Sequence, residues 1–221
     1  MAKEAVHIGQ VVRNAVVFNA QRWREGEMNG EPLLRTVQEL FALLDERQVS
    51  YVLVGGIALL SYVEGRNTED IDLIMALPSL EKLPEIDIQE RDRYFVRGRF
   101  KGLQIDVLLT ENPLFRLVQE RYTTEQTFLE RAIPTATVEG LLLLKLYALP
   151  SLYRQGDFLR VGIYENDIAA LMYAYQPDTE KLLQTLSAYL SENDLSSLKQ
   201  IVAEIEERIQ RFRQGKAGST E

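Results

Sequence analysis

The sequence of 221 residues contains no cysteine and a single histidine, His7. The absence of cysteine excludes disulfide bonds, thiolate metal sites and a cysteine nucleophile. One histidine excludes zinc hydrolases with several histidine ligands, and it leaves Ser-His-Asp catalysis only if His7 takes part. Any catalysis therefore depends on carboxylates, lysines, arginines and hydroxyl groups, and Mg²⁺ suits oxygen ligands of this kind.

Long apolar runs and an excess of positive charge are also missing. The longest apolar stretch, residues 52–60, contains Gly55 and Gly56, so no segment is predicted to span a membrane. The beginning of the chain has no apolar core of signal-peptide length, and we therefore expect a cytoplasmic protein. Because the formal net charge is −8, we expect neither membrane binding nor non-specific DNA binding.

Positive charge is concentrated between residues 91 and 101, where five residues are basic and one is acidic. The basic residues are Arg91, Arg93, Arg97, Arg99 and Lys101. Their odd numbering places them on one face of an unbroken strand, although Gly98 can shift the register. The default interpretation is a solvated strand face, and the alternative is a surface that binds a phosphate-containing substrate.

The chain divides by pattern into an α/β lobe and a helical lobe. We expect an N-terminal arm at 1–30, the α/β lobe at 31–130, the helical lobe at 131–214 and a flexible polar tail at 215–221. In the α/β lobe the pattern predicts a helix from Glu31 to near Arg47, strands at 51–54 and 70–75, and a strand pair or one bulged strand at 94–109. In the helical lobe it predicts helices at 138–149, 166–174, 179–190 and 195–212, the last behind an Asp194 cap.

Three aspartates lie in predicted apolar strands. Asp70 and Asp72 are two residues apart, so their side chains project from the same face of a strand, and Asp106 lies inside the apolar segment 103–109. If the three converge, they form an all-oxygen site of the kind that Mg²⁺ prefers. Two solvated acids at a strand end are the alternative interpretation of Asp70 and Asp72.

The residues that precede these aspartates carry a recognisable signature. The strand 51–54 with Gly55 and Gly56, followed by Arg-Asn-Thr-Glu-Asp-Ile-Asp-Leu-Ile at 66–74, resembles the signature of the polymerase-beta nucleotidyltransferase superfamily. Its Arg-x-Thr-x-Asp-Ile-Asp variant is similar to the AbiEii-type toxin nucleotidyltransferases and to the aminoglycoside and lincosamide nucleotidyltransferases. The resemblance covers roughly residues 50–110. It implies an α/β (α+β) nucleotidyltransferase fold, with a mixed sheet, helices and a C-terminal helical lobe.

The resemblance implies a two-metal mechanism. In this mechanism Asp70 and Asp72 hold the Mg²⁺ ions that bind the nucleoside triphosphate (NTP), and Mn²⁺ is an alternative to Mg²⁺. Asp106 lies at the position of the family's third metal-ligand carboxylate and would help to activate the acceptor hydroxyl. The implied nucleotide-binding residues are Gly55, Gly56, Arg66, Thr68 and Lys145. Glycines before a helix let a phosphate approach the backbone. Arg66 and Thr68 either contact phosphate or only close the loop before the aspartates.

Lys145 and Asp167 match a second, weaker pattern of the AbiEii-type proteins. In those proteins the lysine of Leu-Leu-x-Lys-Leu is expected to contact nucleotide phosphates. The acid of Asp-Ile-x-x-Leu, at the start of a helix, is expected to orient that lysine. The alternatives are a Lys145 that snorkels at a helix edge and an Asp167 that is a cap or a structural partner.

The expected activity is transfer of a nucleoside monophosphate from an NTP to an acceptor hydroxyl. A toxin-like action on RNA or protein is the first choice, with a cognate antitoxin as a partner. An antibiotic-modifying transferase is the main alternative. The net charge of −8 is compatible with a cationic drug, whereas the basic segment at 91–101 argues against one. A non-catalytic binding or antitoxin protein is the third, and the intact Asp70, Asp72 and Asp106 argue against it.

Overall fold

The computed structural model describes residues 31–63, 68, 70–128 and 131–217. The chain divides into two compact units, Met1–Thr137 and Val138–Glu221. The first contains a mixed sheet with helices and the second contains helices, which confirms the predicted α/β fold class. Expectations for residues 1–30, for Arg66 and for residues 218–221 lie outside the described residues.

The first unit is built around a seven-stranded sheet. Its helices are α1 (Glu31–Glu46), α2 (Gly55–Leu60), α3 (Leu77–Leu80) and α4 (Pro113–Arg121). Its strands are β1 (Tyr51–Val54), β2 (Asp70–Met75), β3 (Asp87–Arg91), β4 (Phe95–Phe100), β5 (Leu103–Leu109), β6 (Thr123–Phe128) and β7 (Arg131–Ala136). The strand order is β3-β4-β5-β2-β1-β7-β6. Because β7 belongs to the sheet, the first unit extends past residue 130.

The central strands carry the core of this unit. β1 runs antiparallel to β2, and β2 runs parallel to β5. Leu53, Leu73 and Ile105 are completely buried in these three strands. Since apolar residues fix the central strands in the core, the polar residues that the same strands carry are held at defined positions of the sheet.

A tight hairpin joins β4 to β5. Its two turn residues, Lys101 and Gly102, have φ values of 49° and 85°, and a turn of this hand matches the twist of the flanking strands. The segment is therefore a strand pair, and Gly98 lies inside β4 rather than breaking it. A Cβ atom at Gly98 would be 2.6 Å from Ile86 Cγ2, so the glycine permits close packing there.

Five elements of the first unit were not predicted from the sequence pattern: α3, β3, α4, β6 and β7. Every residue of β3 is exposed at the edge of the sheet, so the strand lacks the apolar alternation by which strands are predicted. α4 begins with Pro113 after Asn112, whose side chain accepts a hydrogen bond from the Leu114 amide.

The second unit contains four described helices. They are α5 (Val138–Gln155), α6 (Phe158–Tyr175), α7 (Thr179–Leu186) and α8 (Glu192–Ala217). Asp157 caps α6, so Asp167 lies inside this helix and not at its start. The predicted Asp194 cap is wrong, because the Ser191 hydroxyl accepts a hydrogen bond from the Asp194 amide and α8 begins earlier. Among the described helices, none combines the length and the apolar character that a bilayer crossing requires.

Candidate active site

The structure brings together the three predicted aspartates. In the parallel pairing of β2 with β5, Asp72 lies opposite Asp106, and Asp70 projects from the same face two residues earlier. One carboxylate oxygen from each aspartate lies within 4.8 Å of the others. Asp106 is only 6% exposed, whereas Asp70 and Asp72 are partly buried. The arrangement is a compact cluster of three carboxylates on neighbouring strands.

The two glycines after β1 pack directly against Asp72. Gly55 has a φ of +63°, and a Cβ atom there would lie 1.8 Å from Asp72 Oδ2. The Gly56 amide donates a hydrogen bond of 3.3 Å to the same oxygen. On the other side of the cluster, the Thr68 hydroxyl donates to Asp70 Oδ1 at 2.8 Å. Gly55, Gly56 and Thr68 therefore position carboxylates, and their contact with a nucleotide stays a prediction.

Arg97 binds Asp106 through both carboxylate oxygens. Its Nε donates to Oδ1 and its Nη2 donates to Oδ2, each at 2.9 Å. Gln104 Nε2 donates to Oδ1 at 3.3 Å, and Arg97 Nη1 lies 3.6 Å from Glu90 Oε2. Hydrogen bonding to Asp106 raises the pKa of Arg97 above its usual range, so the guanidinium stays charged. Sequence reasoning missed this pairing, although Lys101-Gly102 between two apolar runs could have indicated the hairpin register.

The five basic residues of 91–101 do not share one strand face. Arg91 belongs to β3, Arg93 lies in the connection to β4 with its guanidinium 5.0 Å from the Tyr94 ring centroid, and Lys101 forms an ion pair with Glu39 at 2.7 Å. Only Arg97 and Arg99 project from the same side of one strand, because they are two residues apart in β4. The prediction of a single basic face is wrong, since the chain turns between these residues.

Lys145 and Asp167 form an ion pair inside the second unit. Lys145 Nζ lies 2.8 Å from Asp167 Oδ2, and the two side chains are 6% and 5% exposed. The ammonium also lies 4.5 Å from the ring centroid of Tyr164. Lys145 therefore does not snorkel to solvent, and Asp167 is its structural partner. A contact between Lys145 and a nucleotide stays a prediction.

The donor set of the aspartate cluster suits a hard divalent cation. Carboxylate oxygens are the ligands that Mg²⁺ and Mn²⁺ accept most readily in proteins. Three carboxylates so close together repel one another, and Arg97 is paired through hydrogen bonds with one of them, Asp106. Asp70, Asp72 and Asp106 could therefore hold a divalent cation.

Solved structures of similar fold include nucleotidyltransferases. ANT(2'')-Ia in complex with adenylyl-2''-tobramycin matches with a TM-score of 0.51 at 14% identity, over 74% of this chain and 95% of that chain. The solution structure of the same antibiotic-resistance factor gives a TM-score of 0.49 at 12% identity, over 82% and 96% of the two chains. A Thermotoga maritima protein assigned as a nucleotidyltransferase gives 0.44 at 14% identity, over 61% and 94%. No protein-family model and no curated protein matches this chain in sequence. The first of these likenesses shows that the chain has the fold of a nucleotidyltransferase.

Proposed function

We propose that this protein transfers a nucleoside monophosphate from an NTP to an acceptor hydroxyl, using Mg²⁺ or Mn²⁺ bound by Asp70, Asp72 and Asp106. The observation that carries the proposal is the meeting of three carboxylate oxygens within 4.8 Å on β2 and β5. The nucleotidyltransferase fold supports the same conclusion. A non-catalytic role is disfavoured, because Asp70, Asp72 and Asp106 are all present and their carboxylates meet in one cluster.

The residues of the cluster have distinct tasks in this reaction. A bound divalent cation would offset the negative charge of the triphosphate and polarise the α-phosphoryl group. Thr68 orients the Asp70 carboxylate and Gly56 orients that of Asp72 through the hydrogen bonds described above. The acceptor oxygen forms a bond to the α-phosphorus as the bond to the bridging oxygen breaks, and pyrophosphate leaves with that electron pair. The hydroxyl proton passes to Asp106 or to water.

The acceptor defines the biological role. We favour a toxin-like action on RNA or protein, with a cognate antitoxin, because the Arg-x-Thr-x-Asp-Ile-Asp pattern is similar to that of AbiEii-type proteins. The exposed Arg91, Arg93 and Arg99 support an acceptor that carries phosphates. An antibiotic acceptor is the second candidate, and the likeness in fold to ANT(2'')-Ia, solved with adenylyl-2''-tobramycin, supports it.

A transfer assay tests the proposed activity directly. The purified protein is incubated with Mg²⁺ and each α-labelled NTP in turn, in the presence of total RNA, a protein extract, or a panel of aminoglycosides and lincosamides. We expect label from one NTP to appear in one acceptor class. Absence of label in every acceptor class, with Mg²⁺ and also with Mn²⁺, would contradict the proposed function.

The variant Asp72→Asn tests whether the cluster carries the activity. Loss of a group that merely supports a metal ligand typically costs 10–100-fold, so loss of a ligand should reduce transfer at least about 100-fold. The matched control is Asp87→Asn, which changes an exposed aspartate of the edge strand β3 and should retain full transfer. Equal transfer by both variants would remove Asp72 from the mechanism.

A further inference from the structure

Charged side chains form a row across four strands of the first unit. Asp72 on β2 lies opposite Asp106 on β5, Asp106 lies opposite Arg97 on β4, and Arg97 lies opposite Glu90 on β3. Arg97 is thus a cation between the aspartate cluster and the acidic residue of the edge strand. The sheet register fixes this position, because the two-residue turn after β4 sets which residues of β4 and β5 face each other.

The contact between Arg97 and Asp106 is stronger than an ordinary surface ion pair. Asp106 is nearly buried, the Arg97 side chain is only 25% exposed, and both carboxylate oxygens accept charged hydrogen bonds of 2.9 Å. The guanidinium also lies 5.4 Å from the ring centroid of Phe95, which limits its movement. A divalent cation that used an oxygen of Asp106 would therefore share this carboxylate with a fixed positive charge.

We propose that Arg97 is a built-in counter-cation of the aspartate cluster. In the metal-free protein it offsets the charge of Asp106, so the cluster stays ordered without a divalent cation. The same positive charge weakens the binding of a free divalent cation, because like charges repel across a partly buried site. An NTP brings several negative charges that outweigh Arg97, and the cation is therefore loaded mainly together with the nucleotide. The inference rests on the metal site of the proposed function.

The direction in which metal affinity changes when Arg97 is removed distinguishes a counter-cation from a residue that only orients Asp106. If Arg97 only oriented Asp106 as a ligand, its removal would leave a misplaced carboxylate and weaker metal binding. If Arg97 is a counter-cation, its removal leaves the cluster more negative and strengthens metal binding.

The experiment titrates the nucleotide-free protein with Mn²⁺ at a fixed ionic strength of about 0.15 M, where exposed charges are well screened, using the electron paramagnetic resonance signal of free Mn²⁺ and calorimetry. We expect Arg97→Gln to bind Mn²⁺ about tenfold more tightly than the unchanged protein. Arg97→Lys keeps the charge and should stay within about twofold. The matched control is Arg99→Gln, which removes the same charge from the exposed, same-side position of β4 and should also stay within about twofold. Unchanged or weaker binding by Arg97→Gln would overturn the proposal.

A second measurement follows thermal unfolding with and without Mg²⁺. In the metal-free state Arg97→Gln should melt at a lower temperature than Arg99→Gln, because Asp106 then lacks the guanidinium beside its carboxylate neighbours. Saturating Mg²⁺ should raise the midpoint of Arg97→Gln more than that of the unchanged protein. If Arg97→Gln does not fold, Arg97→Ala is titrated at a lower temperature instead. It must bind Mn²⁺ more tightly than the unchanged protein does at that temperature, and any other result refutes the proposal.

These readouts need neither NTP nor acceptor. A protein that shows the Arg97 effect but no transfer would refute the proposed function alone. A protein that binds Mn²⁺ with the same affinity in every variant, or that binds none in any variant, but still performs the transfer would refute the Arg97 inference alone. A protein that shows neither the Arg97 effect nor transfer would refute both.

Discussion

At the scale of single residues, two glycines with positive φ serve different purposes. Gly55 combines a φ of +63° with the Asp72 carboxylate, which occupies the space of its missing Cβ. Gly102 has a φ of +85° in the hairpin turn, and nothing lies within 4 Å of its Cβ position. Both glycines avoid backbone strain, but only Gly55 also makes room for a residue of the candidate site.

This difference gives a matched pair of variants. Gly55→Ala adds steric overlap with Asp72 to backbone strain and should lower the free energy of unfolding by about 2–5 kcal/mol. Gly102→Ala adds strain alone and should cost about 1–2 kcal/mol. Urea denaturation of the two variants, followed by circular dichroism, compares them directly. Equal losses would mean that Asp72 moves away from Gly55 at little cost.

The sequence predicts the aspartates of the site better than their partners. The spacing of two residues between Asp70 and Asp72 determines a shared strand face without knowledge of the fold. The pairing of Arg97 with Asp106 depends on the register of a hairpin, and that register follows from a turn in which Lys101 occupies a position that usually favours Asn or Gly. A shift of one residue would have placed Arg97 on the opposite face.

At the scale of elements, a buried ion pair connects α5 with α6. Lys145 lies in the apolar segment of α5, and Asp167 comes from the middle of α6. Two charges taken out of water gain little net stability from their mutual attraction, but a single charge left behind is costly. The pair therefore specifies how α5 and α6 pack against each other.

Substitution of one and of both partners tests this role. Lys145→Met leaves the Asp167 carboxylate without its ammonium partner and should lower the free energy of unfolding by about 3–5 kcal/mol. The double variant Lys145→Met, Asp167→Leu should recover a large part of this loss. NTP affinity measured on the stable double variant then tests the predicted nucleotide role of Lys145. Unchanged affinity would leave Lys145 as a packing residue only.

Elements with one buried face are predictable from sequence, and elements at edges are not. The spacing of Val37, Leu40 and Phe41, all buried, predicts α1 with its observed bounds to within a residue. The beginning of α6 was not predicted, because its first turn has no division into an apolar and a polar face. Its apolar residues Phe158 and Leu159 are 83% and 78% exposed. β3 escaped for the related reason that both of its faces are exposed.

At the scale of the whole molecule, the distribution of charge determines which acceptors are favourable. The formal net charge of −8 repels RNA, so any attraction must come from a local surface. Arg97 and Lys101 are engaged with Asp106 and Glu39, respectively. The exposed basic residues of this segment that could contact an RNA acceptor are therefore Arg91 on β3, Arg93 in the connection and Arg99 on β4.

The last prediction distinguishes an RNA acceptor from a cationic antibiotic. A triple variant with glutamine in place of these three arginines removes up to three phosphate contacts. For a single-stranded RNA the slope of log K against log salt should then become shallower by up to about 2, while NTP affinity stays unchanged. For a cationic antibiotic the loss of positive charge should leave transfer unchanged or improve it.

The control triple variant carries the same change in charge at exposed residues of the helical unit: Lys181, Lys199 and Arg208. Because only local contacts release counterions, a salt dependence that changes equally in both triple variants, or in neither, would exclude RNA bound through these three arginines.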